Sequence, residues 1–290
     1  MASLYGYDTK NGAPTSSHCV AFIALFGITT LIHIFQSIHT RKWWLLATVP
    51  ICGILELIGW SARYISTQHP DNVDAYTCQL ATLIIAPCFF TAMTYTLLGL
   101  IIKEQGPKYS SMPPKAFGIT FICNDIISIL IQACGGAMAS FALHSDDPEA
   151  DPENGGHVML GGIVYQFVCL VVYCGFLLEY QLRKYENWPC KRRWNNGTAI
   201  MRDHDREITK RRLAIIMLVL TSALLLVRSA YRIAELDDGF SGKLIQTEWA
   251  LDALDGGMIV ASMFIVNFLH PGYLQAKTQG QRNEYMKQYY

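Results

Sequence analysis

Charge is what this sequence has least of. Asp, Glu, Lys and Arg supply 16% of its 290 residues, where a soluble globular chain carries about 25%. The 23 acidic and 23 basic residues also cancel, which excludes a generally basic nucleic-acid binder and a disordered polyelectrolyte. No CxxC pair occurs among the nine cysteines, so neither a structural zinc nor a thioredoxin-like centre gains support. A Walker motif is missing too. Gly239-Phe-Ser-Gly242-Lys243 has the wrong spacing and no Ser or Thr after the lysine, so direct ATP coupling is not expected. The N-terminal stretch has one lysine and lacks the basic start and short apolar core of a secretory signal. The first apolar segment is therefore expected to be a retained helix.

Hydrophobic residues, by contrast, make up 51% of the chain and run in long uncharged blocks. No Asp, Glu, Lys or Arg lies between residues 10 and 41, from 75 to 102, from 154 to 178, or from 256 to 276. Each block is long enough for the ~20 residues that cross a hydrocarbon core. Three more apolar stretches, 43–62, 116–140 and 213–234, hold a few charges. The pattern predicts seven spans at about 19–38, 43–62, 80–102, 116–140, 158–180, 213–234 and 249–269. Buried helices of a soluble protein would show polar faces, and these mostly do not.

Placing the N-terminus outside puts 18 of the 23 Lys and Arg in cytosolic segments 39–42, 103–115, 181–212 and from 271 onward, as the positive-inside bias requires. The outer loop 143–157 then carries five acids and no base. The expected fold is an all-α integral membrane protein, a seven-transmembrane helix bundle with the N-terminus outside and the C-terminus cytosolic. Its parts are an extracellular 1–18, one membrane domain over 19–270 and a cytosolic tail, 271–290. Only Cys78 falls clearly in an outer loop, with Cys19 near the same rim, too few for a disulfide framework. The glycosylation triplet at 196–198 lies on the cytosolic side and should stay unmodified. The basic segment 183–212 reads as a topology anchor beside anionic lipid, or as a docking surface for a cytosolic protein.

Ionisable groups inside spans are the informative residues, because each costs roughly 2.5–3.5 kcal/mol at the centre of a lone helix on insertion scales. Glu56 and Arg63 lie seven residues apart on span two, on one helical face. Arg228, Arg232 and Glu235 share a face near the outer end of span six, and Asp252 and Asp255 open span seven. Three bases thus face four acids at similar depth. Asp125 lies deeper on span four, with Ser128 and Gln132 following on its face and no base expected at its level. Two readings stand: a salt-bridge network that only fixes helix packing, or a polar site lining a cavity. Pro87 should free a backbone carbonyl in span three, and the pairs Gly135-Gly136, Gly161-Gly162 and Gly256-Gly257 should let helices approach closely.

These residues also carry a resemblance. Span two reads Glu56-x-x-Gly59-Trp60-x-x-Arg63, and span three has Ala86-Pro87, then Ala92, Tyr95 and Gly99. Span four reads Phe121-x3-Asp125-x2-Ser128-x3-Gln132-x2-Gly135-Gly136. The end of span six reads Arg228-Ser-Ala-Tyr231-Arg232-Ile-Ala-Glu235, followed by Gly239, Gly242 and Glu248; span seven adds Asp255, Asn267 and His270-Pro271. In this order and spacing, over about residues 14–271, the chain resembles the fungal RTA1-like family, seven-span proteins linked to lipid translocation and resistance to toxic amphiphiles. Two positions depart from the pattern: Trp60 stands where a Tyr is usual, and Asp252 where an aromatic is expected.

The resemblance implies a plasma-membrane transporter or translocator of amphiphilic lipids, such as sphingoid long-chain bases, sterol amines or cationic amphiphiles, conferring resistance to toxic lipids or drugs. The polar pocket is expected to comprise Glu56, Arg63, Tyr95, Asp125, Gln132, Arg228, Tyr231, Arg232, Glu235, Asp252 and Asp255. No enzyme activity and no cofactor are expected. His33 and His270, near the inner ends, more often cap or hydrogen-bond than bind metal, although two such histidines could ligate a haem iron axially, and porphyrin transport is associated with some relatives. The other alternative is a seven-span lipid-sensing receptor. Against that reading, no DRY-like triplet ends span three and no N-P-x-x-Y ends span seven.

Overall fold

The computed structural model describes residues 15–69, 72–105, 107–144, 151–188, 190, 204–238, 244 and 247–274. These residues form helices and short connections, with no strand among them. The elements are α1 (Ser16–His39), α2 (Trp43–Leu46), α3 (Val49–Gln68), α4 (Val73–Gln105), α5 (Pro114–His144), α6 (Pro152–Tyr185), α7 (His204–Asp237), α8 (Glu248–Leu251), α9 (Gly257–Phe268) and α10 (Pro271–Leu274). Seven of the spans they build are long and apolar enough to cross a membrane. The second combines α2 and α3, with Pro50 in the first turn of α3, where a missing N–H costs nothing. In the seventh, a π turn at Asp252–Gly256 joins α8 to α9.

Five of the seven expected spans fall inside single helices that run further; 43–62 is broken at 47–48 between α2 and α3, and 249–269 outruns α9 by one residue. Hydropathy ends at the first charges, whereas a helix continues until its backbone is capped. Helix α6 starts at Pro152 rather than near 158 because Asp151 accepts the Glu153 N–H at 2.9 Å, a side-chain N-cap followed by proline at the first helical position.

The spans pack in chain order into a closed ring, α1 on α3, α3 on α4, α4 on α5, α5 on α6, α6 on α7, α7 on α9 and α9 back on α1. Helix α4 also reaches across to α7 and is the most buried span, 72% inside against 28% for α1 and α5. That centrality gives α4 a part in the arginine cluster, the Asp125 site and the cavity described below. Outward faces carry Ile28, Leu31 and Phe35 on α1, Ile126, Leu130 and Phe141 on α5, and Val168, Val171 and Leu178 on α6. Helices apolar both outside and inside are what a lipid solvent selects.

Small residues set the tightest contact, α5 on α6. A Cβ on Gly135 would lie 2.5 Å from the Met159 nitrogen, and one on Gly155 would lie 2.4 Å from the Ala139 nitrogen. Only one glycine of each expected pair is used this way. Gly136 has no atom nearer than the Met159 sulfur at 3.8 Å, and Gly161 has nothing within 4 Å, while Gly162 meets Gln132 at 2.7 Å.

Candidate functional site

Five ionisable side chains gather where α7 and the π turn meet α3, at the end of the bundle that bears Thr15. Arg232 grips Asp255 with two donors, Nε to Oδ1 at 2.9 Å and Nη2 to Oδ2 at 2.5 Å, and gives Nη1 to Glu235 Oε2 at 2.7 Å. Tyr231 OH donates to the other Glu235 oxygen at 3.3 Å. Arg228 Nε lies 2.8 Å from Asp255 Oδ1 as an ion pair without hydrogen-bond alignment. Its Nη2 donates to the Leu83 carbonyl at 2.6 Å. Leu83 is four residues before Pro87, so this is the carbonyl that the proline leaves without a helical donor. Glu56 is 1% exposed and lies within electrostatic reach of Asp255, Arg228 and Arg232. Among the described residues neither of its oxygens has a hydrogen-bond partner.

The sequence grouped Asp252 and Arg63 with this cluster, and the structure separates them. Asp252 turns to α1, where His18 Nδ1 lies 2.7 Å from its Oδ2 and 3.6 Å from Glu248 Oε1. Glu248 in turn accepts from the Thr15 hydroxyl at 2.8 Å. The cause is the π turn. Residues three apart neighbour one another on an α-helix, but the wider i→i+5 turn spreads Asp252 and Asp255 onto different partners. Arg63 does not pair with Glu56; its guanidinium carbon lies 5.8 Å from the Trp60 ring centroid, within electrostatic reach of Asp252. Trp60 itself is fully buried, stacked on Phe22 at 4.1 Å between centroids.

Asp125 stands apart. It is 3% exposed, and among the described residues its partners are two hydroxyls of α4, Thr91 at 2.5 Å and Tyr95 at 3.5 Å. Its neighbours Ser128 and Gln132 face α6. Ser128 donates to the Gly162 carbonyl at 2.8 Å, and Gln132 Nε2 reaches Ser128 Oγ at 2.6 Å and Gln166 Oε1 at 3.0 Å. The Gln132 carbonyl oxygen is buried without a partner among the described residues.

That oxygen belongs to a residue that lines a cavity of about 430 Å³ between α4, α5 and α6, within the size range of small-molecule sites. Leu80, Ile84, Ile85, Ala133, Ala137 and Met159 form its apolar wall, and Tyr76, Thr77, Ser140, Asp151 and Glu153 its polar end. Of the eleven residues expected to form a polar pocket, Gln132 alone lines it. The arginine cluster is packed between helices instead, with Arg232 bonded to Asp255 and Glu235 and Arg228 to the Leu83 carbonyl. Sequence reasoning missed the cavity, whose wall is Ala, Leu and Ile. Its one chemical signal was Asp151 and Glu153, read as loop residues rather than as the start of α6.

His33 and His270 meet near the other end of the bundle, with ring centroids 6.0 Å apart. His33 Nε2 lies 3.1 Å from the Met263 carbonyl, and His270 Nδ1 accepts from Gly272 N at 3.2 Å. Asn267 Nδ2 donates to Thr29 Oγ1 at 2.5 Å beside them. A ring nitrogen of each histidine is thus committed to backbone, in a contact that ties α1 to α9. Residues 189 and 191–203 of the basic segment expected at 183–212, which include the triplet at 196–198, lie outside the described residues, as do Gly239, Gly242 and the tail from 275 onward.

A family model described as "RTA1 like protein" matches residues 49–278. The sphingoid long-chain base transporter RSB1 of Saccharomyces cerevisiae (strain JAY291) is 28% identical over 298 residues, covering 93% of this chain and 74% of the relative. The probable lipid transporter atnI of Emericella nidulans is 26% identical over 278 residues, covering 93% and 68%. Protein RTM1 of Saccharomyces cerevisiae is 25% identical over 217 residues, covering 73% and 63%. No solved structure matches. With seven apolar spans, the buried Arg–Asp cluster and a family match over most of its length, the chain is a multi-pass membrane protein that belongs to the RTA1-like family.

Proposed function

We propose that this chain translocates amphiphilic lipids bearing a cationic amine, of the sphingoid long-chain-base or sterol-like kind, and so confers resistance to toxic lipids or drugs. The observation that carries the reading is the α4–α5–α6 cavity, with an apolar wall, an unpartnered buried acceptor at Gln132 and two exposed carboxylates, Asp151 and Glu153, at its polar end. An acyl chain gains by leaving water for the wall. The acids at the polar end attract an ammonium. The names of the yeast and Emericella relatives support the substrate class. Asp125, buried with hydroxyl partners, offers a second counter-charge further along the bundle.

The charge bias supports a topology with the N-terminus outside, and we place the chain in the plasma membrane. The cavity's acidic end then faces the outer leaflet, and the basic segment 183–212 faces anionic lipid or a cytosolic protein.

The test uses purified protein in phosphatidylcholine vesicles with a fluorescent long-chain base. The wild-type chain should speed its transbilayer movement, and Gly136→Phe, at a cavity-lining position where a Cβ meets only ordinary contact with the Met159 sulfur at 3.8 Å, should fill the cavity and stop it. Binding without movement would favour a receptor. Undiminished movement by folded Gly136→Phe would remove the cavity from the route.

A further inference from the structure

We infer that the buried cluster around Asp255 holds one exchangeable proton, carried by Glu56, and that its release and uptake couple the protein to a pH gradient. The inference starts from a charge count. Among the described residues the cluster contains two guanidiniums, Arg228 and Arg232, and three carboxyls, Glu56, Glu235 and Asp255, each no more than 5% exposed. With all three acids ionised it carries a net negative charge in a medium that cannot solvate it. With one acid protonated it is neutral. Burying an uncompensated charge costs several kcal/mol, so the neutral arrangement is the stable one.

The geometry selects the acid. Asp255 accepts two hydrogen bonds from Arg232 and pairs with Arg228, while Glu235 accepts from Arg232 and Tyr231. Both are held as carboxylates. Glu56 receives no hydrogen bond at either oxygen. From α7 it faces Arg228 and Arg232, and from the π turn Asp255. On its own helix the thiol of Cys52 lies one turn back, with Cys88 of α4 beyond it. The Trp60 indole N–H on the same helix faces Glu56 without an aligned hydrogen bond, and no guanidinium is bonded to it, so Glu56 is the acid that keeps its proton.

Release of the proton to the aqueous phase leaves a carboxylate that needs a donor, and Arg228 is the one placed to supply it. Arg228 Nε is not aligned for a hydrogen bond, and its Nη2 is spent on the Leu83 carbonyl. Turning Arg228 toward Glu56 stabilises the anion and frees that carbonyl on α4. Leu83 adjoins Ile84 and lies one turn from Leu80, both in the cavity wall. The protonation state of Glu56 is thereby linked to the helix that shapes the cavity. This coupling rests on the transport reading above, whereas the proton on Glu56 does not.

Two measurements separate the two. Infrared difference spectra of wild type minus Glu56→Gln, in phosphatidylcholine nanodiscs at neutral pH, should show the carbonyl stretch of a protonated carboxyl. Lack of that band overturns the proposal whether or not anything is transported. Vesicles loaded with a pH-sensitive dye should show proton movement when fluorescent long-chain base is added to wild type. A pH difference of about one unit should sustain up to a roughly tenfold substrate ratio, the free-energy equivalent of one exchanged proton. Glu56→Gln should lose the response to the gradient, and its retention overturns the coupling. A wild-type band without substrate movement in any vesicle would instead sink the transport reading and leave the proton site standing.

Discussion

Arg228 donates to the carbonyl of Leu83, 145 positions earlier in the chain, at 2.6 Å. Proline at 87 and arginine at 228 are thus halves of one device: the first opens a hole in the α4 ladder, and the second fills it from another helix. A double-mutant cycle should detect this. Arg228→Met leaves the carbonyl unpaired, and Pro87→Ala in that background restores a backbone donor. Chemical unfolding in detergent should show Pro87→Ala recovering about 1 kcal/mol, the net worth of one hydrogen bond, in the Arg228→Met protein and distinctly less in wild type. Equal effects in both backgrounds would mean the two residues are not coupled.

Arg232 supplies three of the hydrogen bonds that hold Asp255 and Glu235. Arg232→Ala leaves buried carboxylates unpaired, which typically costs about 3–5 kcal/mol. Folded protein recovered by size exclusion should fall sharply. Arg232→Met combined with Asp255→Leu removes a matched pair of charges and should restore much of the yield, an outcome a merely space-filling arginine would not give.

Asp252 should behave differently. Its pair with His18 is half open to solvent, 50% on the histidine side, and such pairs are worth about 0–1 kcal/mol. Asp252→Ala should keep melting temperature and yield close to wild type, while competition between amphiphiles of different head group reports a change in preference. A collapse in yield would show that the acid is structural after all.

Gly135 and Gly136 are adjacent in sequence and opposite in consequence. Gly135→Ala drives a methyl into the α6 backbone, where the neighbouring atom is a main-chain nitrogen at 2.5 Å, and overpacking of this kind costs about 1–3 kcal/mol. Gly136→Ala meets only ordinary contact and should be neutral. Thermal unfolding of the two variants side by side decides it.

Asp125→Asn retains an acceptor for Thr91 and Tyr95 and removes the charge. Surface expression should be unchanged while resistance of cells to an added toxic amphiphile is lost. Resistance at the wild-type level would remove Asp125 from the transport route.

The spans were legible because hydropathy is a local property; no partner is needed to see that residues 75–102 lack charge. The meeting of Arg228 and Arg232 with Asp255 was legible from depth alone, since α7 and the seventh span place them at one end of the bundle. The rest depended on what a one-dimensional pattern omits. Glu56 matches the arginines in depth, yet Arg232 is committed to Asp255 and Glu235 and Arg228 reaches the Leu83 carbonyl instead. His18 pairs with Asp252 across 234 positions, and nothing in an N-terminal histidine announces that. The cavity is made of ordinary alanines and leucines, so only the course of the backbone reveals it.

The π turn at Asp252–Gly256 has a consequence beyond separating two acids. It accommodates extra backbone in one turn, so everything after it is rotated relative to a regular continuation of α8. Returning the turn to α-helical form would shift the following residues by about one position, roughly 100° around the axis. Asn267 and His270 would swing away from Thr29 and His33 while Asp255 left the arginines. The register set by the π turn therefore fixes both ends of the seventh span together, the ion cluster and the far end, where α9 packs on α1.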